Sequence, residues 1–291
     1  MPSKTQVPIT IPKPHKQQEG FINSPAKRKI IRAGRRGGKT VGSAILAVKH
    51  FLDGKRVLYA APTSDQIDRF WTEVNRALNP AVEAKALYRN LTHHIIEVPG
   101  TENRIRAKTA WNADMLRGDY ADLLILDEWQ MMDEATWDEV GAPMLLDTNG
   151  DAVFIYTPPS LKTRRFSKAK DPQHAAKLFK RAQADESGRW AAFTFSSHEN
   201  PHLSREALDE ITQDMTALAY RQEVLAEDID EVPGALWSRA TIEDHRTNTH
   251  PGQLEYVITA IDPSVTSGGD EAGIITAGIS KGFYYVREEI S

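Results

Sequence analysis

The segment over residues 30–41 constrains the fold of this chain more than any other part of it. Its sequence, IIRAGRRGGKTV, predicts a strand, a glycine-rich turn and the beginning of a helix. Such a turn directs several backbone N–H groups towards one point at the positive end of the helix dipole, where an anion is stabilised. Lys39 can reach the β- and γ-phosphates of a nucleotide, and the Thr40 hydroxyl can bind Mg²⁺. The segment therefore predicts a phosphate loop for a nucleoside triphosphate.

The match to the general phosphate-loop pattern, G-x-x-x-x-G-K-[ST], is incomplete. Residues 38–40 fit it, but Ala33 stands at the position of the first glycine, and Gly34, the next residue, can make the tight turn instead. A glycine-rich turn that binds nothing is the alternative interpretation. Two arginines within the turn, Arg35 and Arg36, are hard to explain by packing and favour an anion-binding loop.

A second motif is the apolar run over residues 122–128, DLLILDE, which ends in two acids. A continuous apolar run of this length is typical of a parallel strand buried on both faces, and open α/β sheets bind ligands at the carboxyl ends of such strands. Asp127 can hold Mg²⁺ directly or through water, and Glu128 can polarise an attacking water molecule. The alternative is a buried strand followed by solvated acids. The position about ninety residues after a phosphate loop favours the functional interpretation.

Composition excludes several classes of protein. With 291 residues, of which 40% are hydrophobic, the chain is long enough for one large or two moderate domains. Cysteine is absent, which excludes disulfide bonds and thiolate metal sites and is compatible with a reducing cytoplasm. No apolar run approaches the roughly eighteen residues of a membrane span, and the first residues lack a secretion signal. The net charge of −4 neither indicates nor excludes a nucleic-acid partner.

The pattern along the chain predicts an α/β fold, with a P-loop domain around a mainly parallel central sheet over residues 28–232. Residues 1–27, rich in proline and lysine, predict an extension that runs over the surface. A polar stretch at residues 233–255 predicts a linker to a last segment over residues 256–291. Within the extension, Gln18 can reach an adenine base, although a surface amide is the alternative.

Within the P-loop domain, we expect a helix from Thr63 to about Leu78 and two strands, over residues 88–98 and 103–109. A strand over residues 152–156 precedes Thr157. That threonine is placed to sense a γ-phosphate, or else the strand is simply stopped by the following prolines. A basic stretch follows and is either a solvated loop or a contact to phosphate backbone; its cations are Lys162, Arg164, Arg165, Lys168 and Lys170.

The last segment carries a further acidic pattern. A strand over residues 256–262 ends in Asp262, a turn contains Asp270, and strands over residues 272–279 and 283–287 complete a meander. A first-strand aspartate with another acid nearby is how a ribonuclease H-like fold begins a two-metal site, although both sequences are also ordinary turn chemistry. We expect further acids, on strands beyond residue 291, to be necessary for such a site.

Taken in order, these motifs resemble those of the large terminase subunit of tailed bacteriophages, the motor and nuclease that packages DNA. The resemblance covers nearly the whole chain. In the first half, the similar motifs are an adenine-side glutamine motif at residues 14–18, an arginine-bearing Walker A at 34–40 and a Walker B segment at 116–118 and 123–128. Further on, they are a coupling motif at 156–158, the segments closing the ATPase domain at 200–203 and 220–223, and the opening of the nuclease domain at 261–263 and 269–271.

The resemblance implies roles for individual residues. Contacts to ATP would come from Gln18, Gly34, Gly37, Gly38, Lys39, Thr40 and Thr157. Ligands to Mg²⁺ at the ATPase site would be Thr40 and Asp127. Catalysis would depend on Glu128, which activates water, and on Arg35 or Arg36, which stabilises charge on the phosphoryl group. Ligands to Mg²⁺ or Mn²⁺ at a nuclease site would be Asp262 and Asp270.

The function implied by the resemblance is an ATP-driven motor that moves double-stranded DNA into procapsids, with an incomplete endonuclease domain over residues 256–291. Its partners would be DNA, the small terminase subunit and the portal protein, and it would work as a homo-oligomeric ring in the host cytoplasm. We expect no metal-dependent DNA cleavage by a chain of this length. One alternative is a non-catalytic nucleotide- or DNA-binding remnant of a prophage terminase. The other is a helicase-like ATPase, which would need a second motor domain.

Overall fold

The computed structural model describes residues 7–159, 167–229, 241, 244–247, 252–262 and 273–287. The chain divides into two compact units, Met1–Asp230 and Glu231–Ser291. None of the helices in the described ranges combines the length and the apolar composition that a membrane crossing requires.

The larger unit contains an eight-stranded sheet and five helices of seven or more residues among its described ranges. The strands are β1 Arg28–Ala33, β2 Val57–Ala61, β3 Tyr88–Asn90, β4 Ile95–Glu97, β5 Arg104–Thr109, β6 Leu123–Asp127, β7 Asp151–Tyr156 and β8 Trp190–Phe195. The helices are α1 Lys16–Ile22, α2 Lys39–Leu52, α3 Ser64–Glu83, α4 His174–Gln183 and α5 Arg205–Gln213. Shorter helical turns are Ala113–Leu116, Trp129–Met131, Thr136–Gly141, Ala142–Met144, Ser197–Glu199, Ala217–Ala219 and Tyr220–Val224.

The strand order is β3-β4-β5-β2-β6-β7-β1-β8, and the six strands from β5 to β8 in this order are parallel. Only the β3–β4 and β4–β5 pairs at one end are antiparallel. Strand β7 lies between β1, which leads into the glycine-rich turn, and β6, which ends in the two acids. Because parallel strands share a direction, the ends of all three meet at one edge of the sheet.

The core explains why the central strands are apolar throughout. All five residues of β6 are buried, and they alternate between the two faces: Leu123 and Ile125 belong to one apolar cluster, and Leu124 and Leu126 to the other. Helices α2 and α3 cover the first face, and α4 contributes Phe179 to the second. A strand covered on both faces has no solvent side, so its sequence loses the alternation of polar and apolar residues.

The expectation that residues 1–27 run extended over the surface is wrong for residues 16–22, which form α1. This helix buries Phe21 and Ile22, and a Cβ placed on Gly42 of α2 would lie 2.5 Å from the Phe21 ring. The His15 N–H donates to Gln18 Oε1 at 2.9 Å and so helps to begin the helix. A helix of seven residues, of which three are buried, is too short to show helical periodicity in the sequence.

Three further elements differ from expectation. The predicted strand over residues 88–98 is interrupted by a turn that includes His94, whose φ of 49° ends regular pairing and leaves β3 and β4 as separate strands. Helix α3 continues past Leu78 to Glu83, because Pro80 lies in its last turn and removes only one backbone donor. Helix α4 was not expected, since its apolar residues are mostly alanines.

The smaller unit contains a three-stranded antiparallel sheet of order β11-β10-β9, at the predicted positions. Its strands are β9 Tyr256–Asp262, β10 Gly273–Ser280 and β11 Phe283–Arg287. The backbone of Asp262 pairs with Gly273. The side chain of Asp262 and the whole of Asp270 lie outside what the structure describes, so their roles stay predictions.

Candidate active site

A cavity of about 520 Å³ lies at the sheet edge where β1, β6 and β7 end. Seven residues that the sequence singled out line it: Arg35, Arg36, Gly38, Lys39, Thr40, Glu128 and Thr157. Asp127, Gln18 and Gly34 are hydrogen-bonded to these residues, and Gly37 directly precedes Gly38. The lining also includes Gln66, Arg69, Gln130 and Glu223, which sequence reasoning did not select.

The backbone of the loop requires its glycines at two positions. Gly38 has a φ of 96°, which residues with a side chain rarely adopt. Gly34 is packed so closely that an added Cβ would lie 2.4 Å from the Val224 carbonyl oxygen and 2.6 Å from Ser197 Oγ. Arg36 takes a φ of 59° without being glycine, a conformation that costs energy and is often kept where function needs it.

Lys39, the first residue of α2, directly follows the glycine-rich turn and has only 8% of its surface exposed. Its Nζ donates to the carbonyl oxygens of Ala33 at 2.9 Å and Gly34 at 3.1 Å, and to Thr157 Oγ1 at 2.6 Å. Burial lowers the pKa of Lys39, whereas the charges of Glu128 and Asp127 raise it. The lysine therefore connects the loop to the end of β7 and lies in the field of both acids.

Asp127 is buried at the end of β6 and accepts two hydrogen bonds. Tyr59 Oη donates to its Oδ2 at 2.5 Å, and the Glu128 N–H donates to its Oδ1 at 2.9 Å. Burial and the neighbouring Glu128 charge raise the pKa of Asp127 to about 6. The Tyr59 ring stacks on Phe70 of α3, with centroids 3.7 Å apart. A fixed donor of this kind orients a carboxylate for a metal ion.

Glu128 faces the cavity from a strained backbone position, with a φ of 54°. Gln130 Nε2 donates to its Oε2 at 2.6 Å, which holds the carboxylate in place and leaves its other oxygen to accept from water. A non-glycine residue in the left-handed region costs on the order of 1–3 kcal/mol and is found preferentially at functional sites. Its geometry suits a residue that orients and polarises water.

The two loop arginines are exposed, and their backbones are tied to segments near the end of the unit. The Arg35 N–H donates to the Glu223 carbonyl oxygen at 2.6 Å, and the Arg35 guanidinium pairs with the Glu223 carboxylate. Ser197 Oγ donates to the Arg35 carbonyl oxygen at 2.5 Å, and Asn200 Nδ2 donates to the Arg36 carbonyl oxygen at 2.6 Å. The segments around residues 197–200 and Glu223 thus hold the glycine-rich loop.

Gln18 is not a surface amide, because only 3% of it is exposed. Its Nε2 donates to the Gly38 carbonyl oxygen at 2.8 Å, and its Oε1 accepts from the His15 N–H at 2.9 Å. His15 Nε2 lies 3.1 Å from the Gly37 carbonyl oxygen. Helix α1 therefore supports the phosphate loop directly, and a contact of Gln18 with adenine stays a prediction.

The donor set at the sheet edge suits magnesium. Within the described ranges, no three His, Asp or Glu side chains converge as a preformed metal cage. Mg²⁺ is commonly held by one or two protein oxygens together with substrate phosphates and water, so Thr40 and Asp127 fit such a site. Of the basic stretch, Lys168 lies over the Trp111 ring at 5.1 Å, while Lys162, Arg164 and Arg165 lie outside the described residues.

Several site residues that sequence reasoning missed carry weak signals. Tyr59 is a hydroxyl-bearing residue within the otherwise aliphatic strand β2, and it is useful only because β2 pairs with β6. Gln66 and Arg69 are three residues apart on α3, so they share one helix face. Nothing in the local sequence shows which way that face points.

Comparison with known proteins agrees with this geometry, although no family model matches the chain. The large terminase subunit of Thermus virus P23-45 is 33% identical over 167 residues, a match covering 51% of this chain and 34% of that protein. The solved large terminase ATPase domain of Thermus phage P74-26 is 25% identical, with a TM-score of 0.58 and coverage of 75% of this chain and 94% of that one. A large terminase from a thermophilic bacteriophage, solved in complex with ADP, shares the fold at 15% identity, a TM-score of 0.58 and coverage of 97% and 68%.

The mainly parallel sheet, the phosphate loop on β1 and the acids at the end of β6 define an α/β fold of the P-loop nucleoside triphosphatase class, as predicted. Within that class, part of the chain is similar to phage large terminase subunits, and the resemblance that its motifs indicated is confirmed. The chain matches about a third, 34%, of the length of the curated relative from P23-45.

Proposed function

We propose that this chain hydrolyses ATP with Mg²⁺ and belongs to a DNA-packaging motor that moves double-stranded DNA. The observation that carries the proposal is the meeting of Lys39, Glu128 and Thr157 around one cavity of about 520 Å³. That size is within the range of pockets that enclose small ligands. The relatives reported above support the proposal, since they are named large terminases and one was solved with ADP.

In the proposed reaction, water attacks the γ-phosphate of ATP, and ADP and phosphate are the products. Glu128, held by Gln130, orients and polarises the water. Lys39 exchanges its three protein oxygens for phosphate oxygens, which releases Thr157 from its 2.6 Å hydrogen bond. Mg²⁺ bound by Thr40 and Asp127 would supply positive charge against the phosphates.

The loop arginines and Thr157 are proposed to connect hydrolysis with movement. Arg35 or Arg36 stabilises charge on the transferring phosphoryl group, in this chain's site or in a neighbour's. Because Arg35 is also bonded to Glu223, any shift of the arginine towards phosphate changes the contacts of the segment that leads to the second unit. Such a change of contacts can reposition a DNA-holding surface.

The wider assembly is proposed from the relationship to terminases. Residues 28–232 would be the ATPase domain, 233–255 a linker, and 256–291 the beginning of a nuclease-type domain with Asp262 and Asp270 as ligands of Mg²⁺ or Mn²⁺. The small terminase subunit, the portal and a homo-oligomeric ring in the host cytoplasm are the proposed partners and setting. DNA contacts mainly to phosphates would make binding sensitive to salt and tolerant of sequence.

A phosphate-release assay with and without double-stranded DNA tests the proposal. We expect turnover that DNA stimulates and that falls at least about 100-fold in Lys39→Ala and in Glu128→Gln. Lys49→Ala is the matched control, because Lys49 is an exposed lysine of the same helix and, among the described residues, its side chain bonds only to Asn23 Oδ1, at 3.3 Å.

Unchanged turnover in Glu128→Gln would contradict the role of that residue. Nucleotide binding without turnover in the unchanged protein would favour the non-catalytic remnant. ATP-dependent separation of DNA strands would favour the helicase-like alternative.

A further inference from the structure

Helix α3 contributes a cation to the nucleotide cavity that the proposed mechanism does not use. Arg69 lines the cavity together with Gln66, one turn earlier on the same helix face. Gln66 Nε2 contacts Met131 Sδ at 3.9 Å, in the turn that follows Glu128. This face of α3 therefore lies beside the acids at the end of β6.

The position of Arg69 is fixed through the neighbouring residue. Phe70 is completely buried and stacks on Tyr59, with ring planes 4° apart, and Tyr59 in turn donates to Asp127 at 2.5 Å. The charge of Arg69 acts on the Tyr59 hydroxyl and lowers its pKa, against the larger effects of burial and of Asp127. The backbone that carries Arg69 is thus anchored to the side of the cavity where the two acids lie.

Two other cations of the cavity, Lys39 and Arg35, already have protein partners. Lys39 Nζ is bonded to three protein oxygens, and Arg35 is paired with Glu223. Arg69 forms no hydrogen bond or ion pair with any residue that the structure describes. A guanidinium with five donors and no carboxylate partner, at a cavity that also receives two acids, is suited to an anionic ligand.

We propose that Arg69 contacts the γ-phosphate of a nucleoside triphosphate bound in the same chain and so makes the site distinguish triphosphates from diphosphates. The inference rests on the proposed ATPase function. When a triphosphate lies in a phosphate loop, its terminal phosphate points towards the metal and the water-activating acid, which is the side where α3 presents Arg69. The α- and β-phosphates lie nearer the loop itself, so a diphosphate leaves Arg69 without a partner.

Binding of ATPγS and of ADP, each with Mg²⁺, measured by titration calorimetry on the full chain, tests the inference. We expect Arg69→Ala to weaken ATPγS binding about 10- to 100-fold, the worth of one charge-assisted contact, and to change ADP binding less than about twofold. Arg69→Lys should recover part of the ATPγS affinity. Arg76→Ala is the control, because Arg76 lies on the same helix and, within the part of the chain that the structure describes, pairs only with Glu73, at 2.8 Å.

Two outcomes would overturn the inference. If Arg69→Ala weakens binding of ATPγS and of ADP equally, Arg69 contacts the α- or β-phosphate or stabilises the fold. If the variant binds both nucleotides as tightly as the unchanged protein does, Arg69 contacts another partner, such as DNA. Thermal unfolding of each variant identifies a loss that comes from the fold. If the unchanged protein binds neither nucleotide, the proposed function fails, which is a different result from a selective failure of Arg69.

Discussion

Asp127→Asn should stabilise the metal-free protein at neutral pH, although it removes a proposed ligand of Mg²⁺. The side chain is 4% exposed and next to Glu128, and these surroundings raise its pKa from 3.8 to about 6. Between these two pH values the folded protein keeps a proton that the unfolded chain has lost, so its stability falls as the pH rises. At about 1.4 kcal/mol for each pKa unit, ionised Asp127 costs the fold about 3 kcal/mol at pH 7.

Asparagine removes this cost while keeping the contacts. Its Oδ1 can accept from the Glu128 N–H, and its Nδ2 can donate to Tyr59 Oη once that hydroxyl has turned, because a tyrosine hydroxyl both donates and accepts. The native bonds at these two positions are 2.9 Å and 2.5 Å long. The side chain keeps its volume, so no cavity forms.

Urea unfolding in the presence of EDTA, at pH 5, 6, 7 and 8, measures the effect. We expect the variant to be more stable than the unchanged protein by about 3 kcal/mol at pH 7 and 8 and by about half as much at pH 5. Asp209→Asn, at an exposed position of α5, should differ by less than about 0.5 kcal/mol at every pH. A variant that is less stable than the unchanged protein, or a difference that does not change with pH, would refute the reasoning.

Three further changes test other contacts. Tyr59→Phe removes the hydroxyl that donates to Asp127 but keeps the ring stack on Phe70. We expect half-maximal ATPase activity to need about 10- to 100-fold more Mg²⁺. An unchanged Mg²⁺ requirement would contradict the proposal that Tyr59 orients Asp127. Gly34→Ala places a Cβ 2.4 Å from the Val224 carbonyl oxygen, which is closer than real Cβ contacts allow. We expect the free energy of unfolding in urea to fall by about 1–3 kcal/mol. An unchanged free energy of unfolding would show that the loop moves to make room for the methyl group. Asp228→Ala removes the carboxylate that lies 2.8 Å from the Arg32 guanidinium in the unchanged protein. We expect the free energy of unfolding in urea to fall by about 3 kcal/mol, because Arg32 loses its charged partner. A fall of less than about 1 kcal/mol would mean that the pair is solvated.

The parts of the fold that local chemistry determines were predictable. The glycines and lysine of the turn, placed between a strand and a helix, predict a phosphate loop. The four apolar residues of β6 predict a strand covered on both faces, and the acids at and after its end then fall at the edge where such sheets bind ligands. Helix α1 was not predictable in the same way, since it is held by Phe21 against Gly42 and by Gln18 against Gly38, which are contacts between distant parts of the chain.

The site shows the same division between local and long-range information. Lys39, Thr40 and Glu128 carry their chemistry in the residue type and its neighbours along the chain. The local sequence around Tyr59 and Arg69 does not indicate a role for either residue. Tyr59 matters because the pairing of β2 with β6 brings its hydroxyl to Asp127. Arg69 matters because the packing of Phe70 fixes the rotation of α3. The sequence therefore predicts the groups that are proposed to bind phosphate and activate water, whereas the groups proposed to orient them depend on strand order and on the rotation of α3. It follows that changes at Tyr59 and Arg69 should alter metal requirement and nucleotide preference while the motifs themselves stay intact.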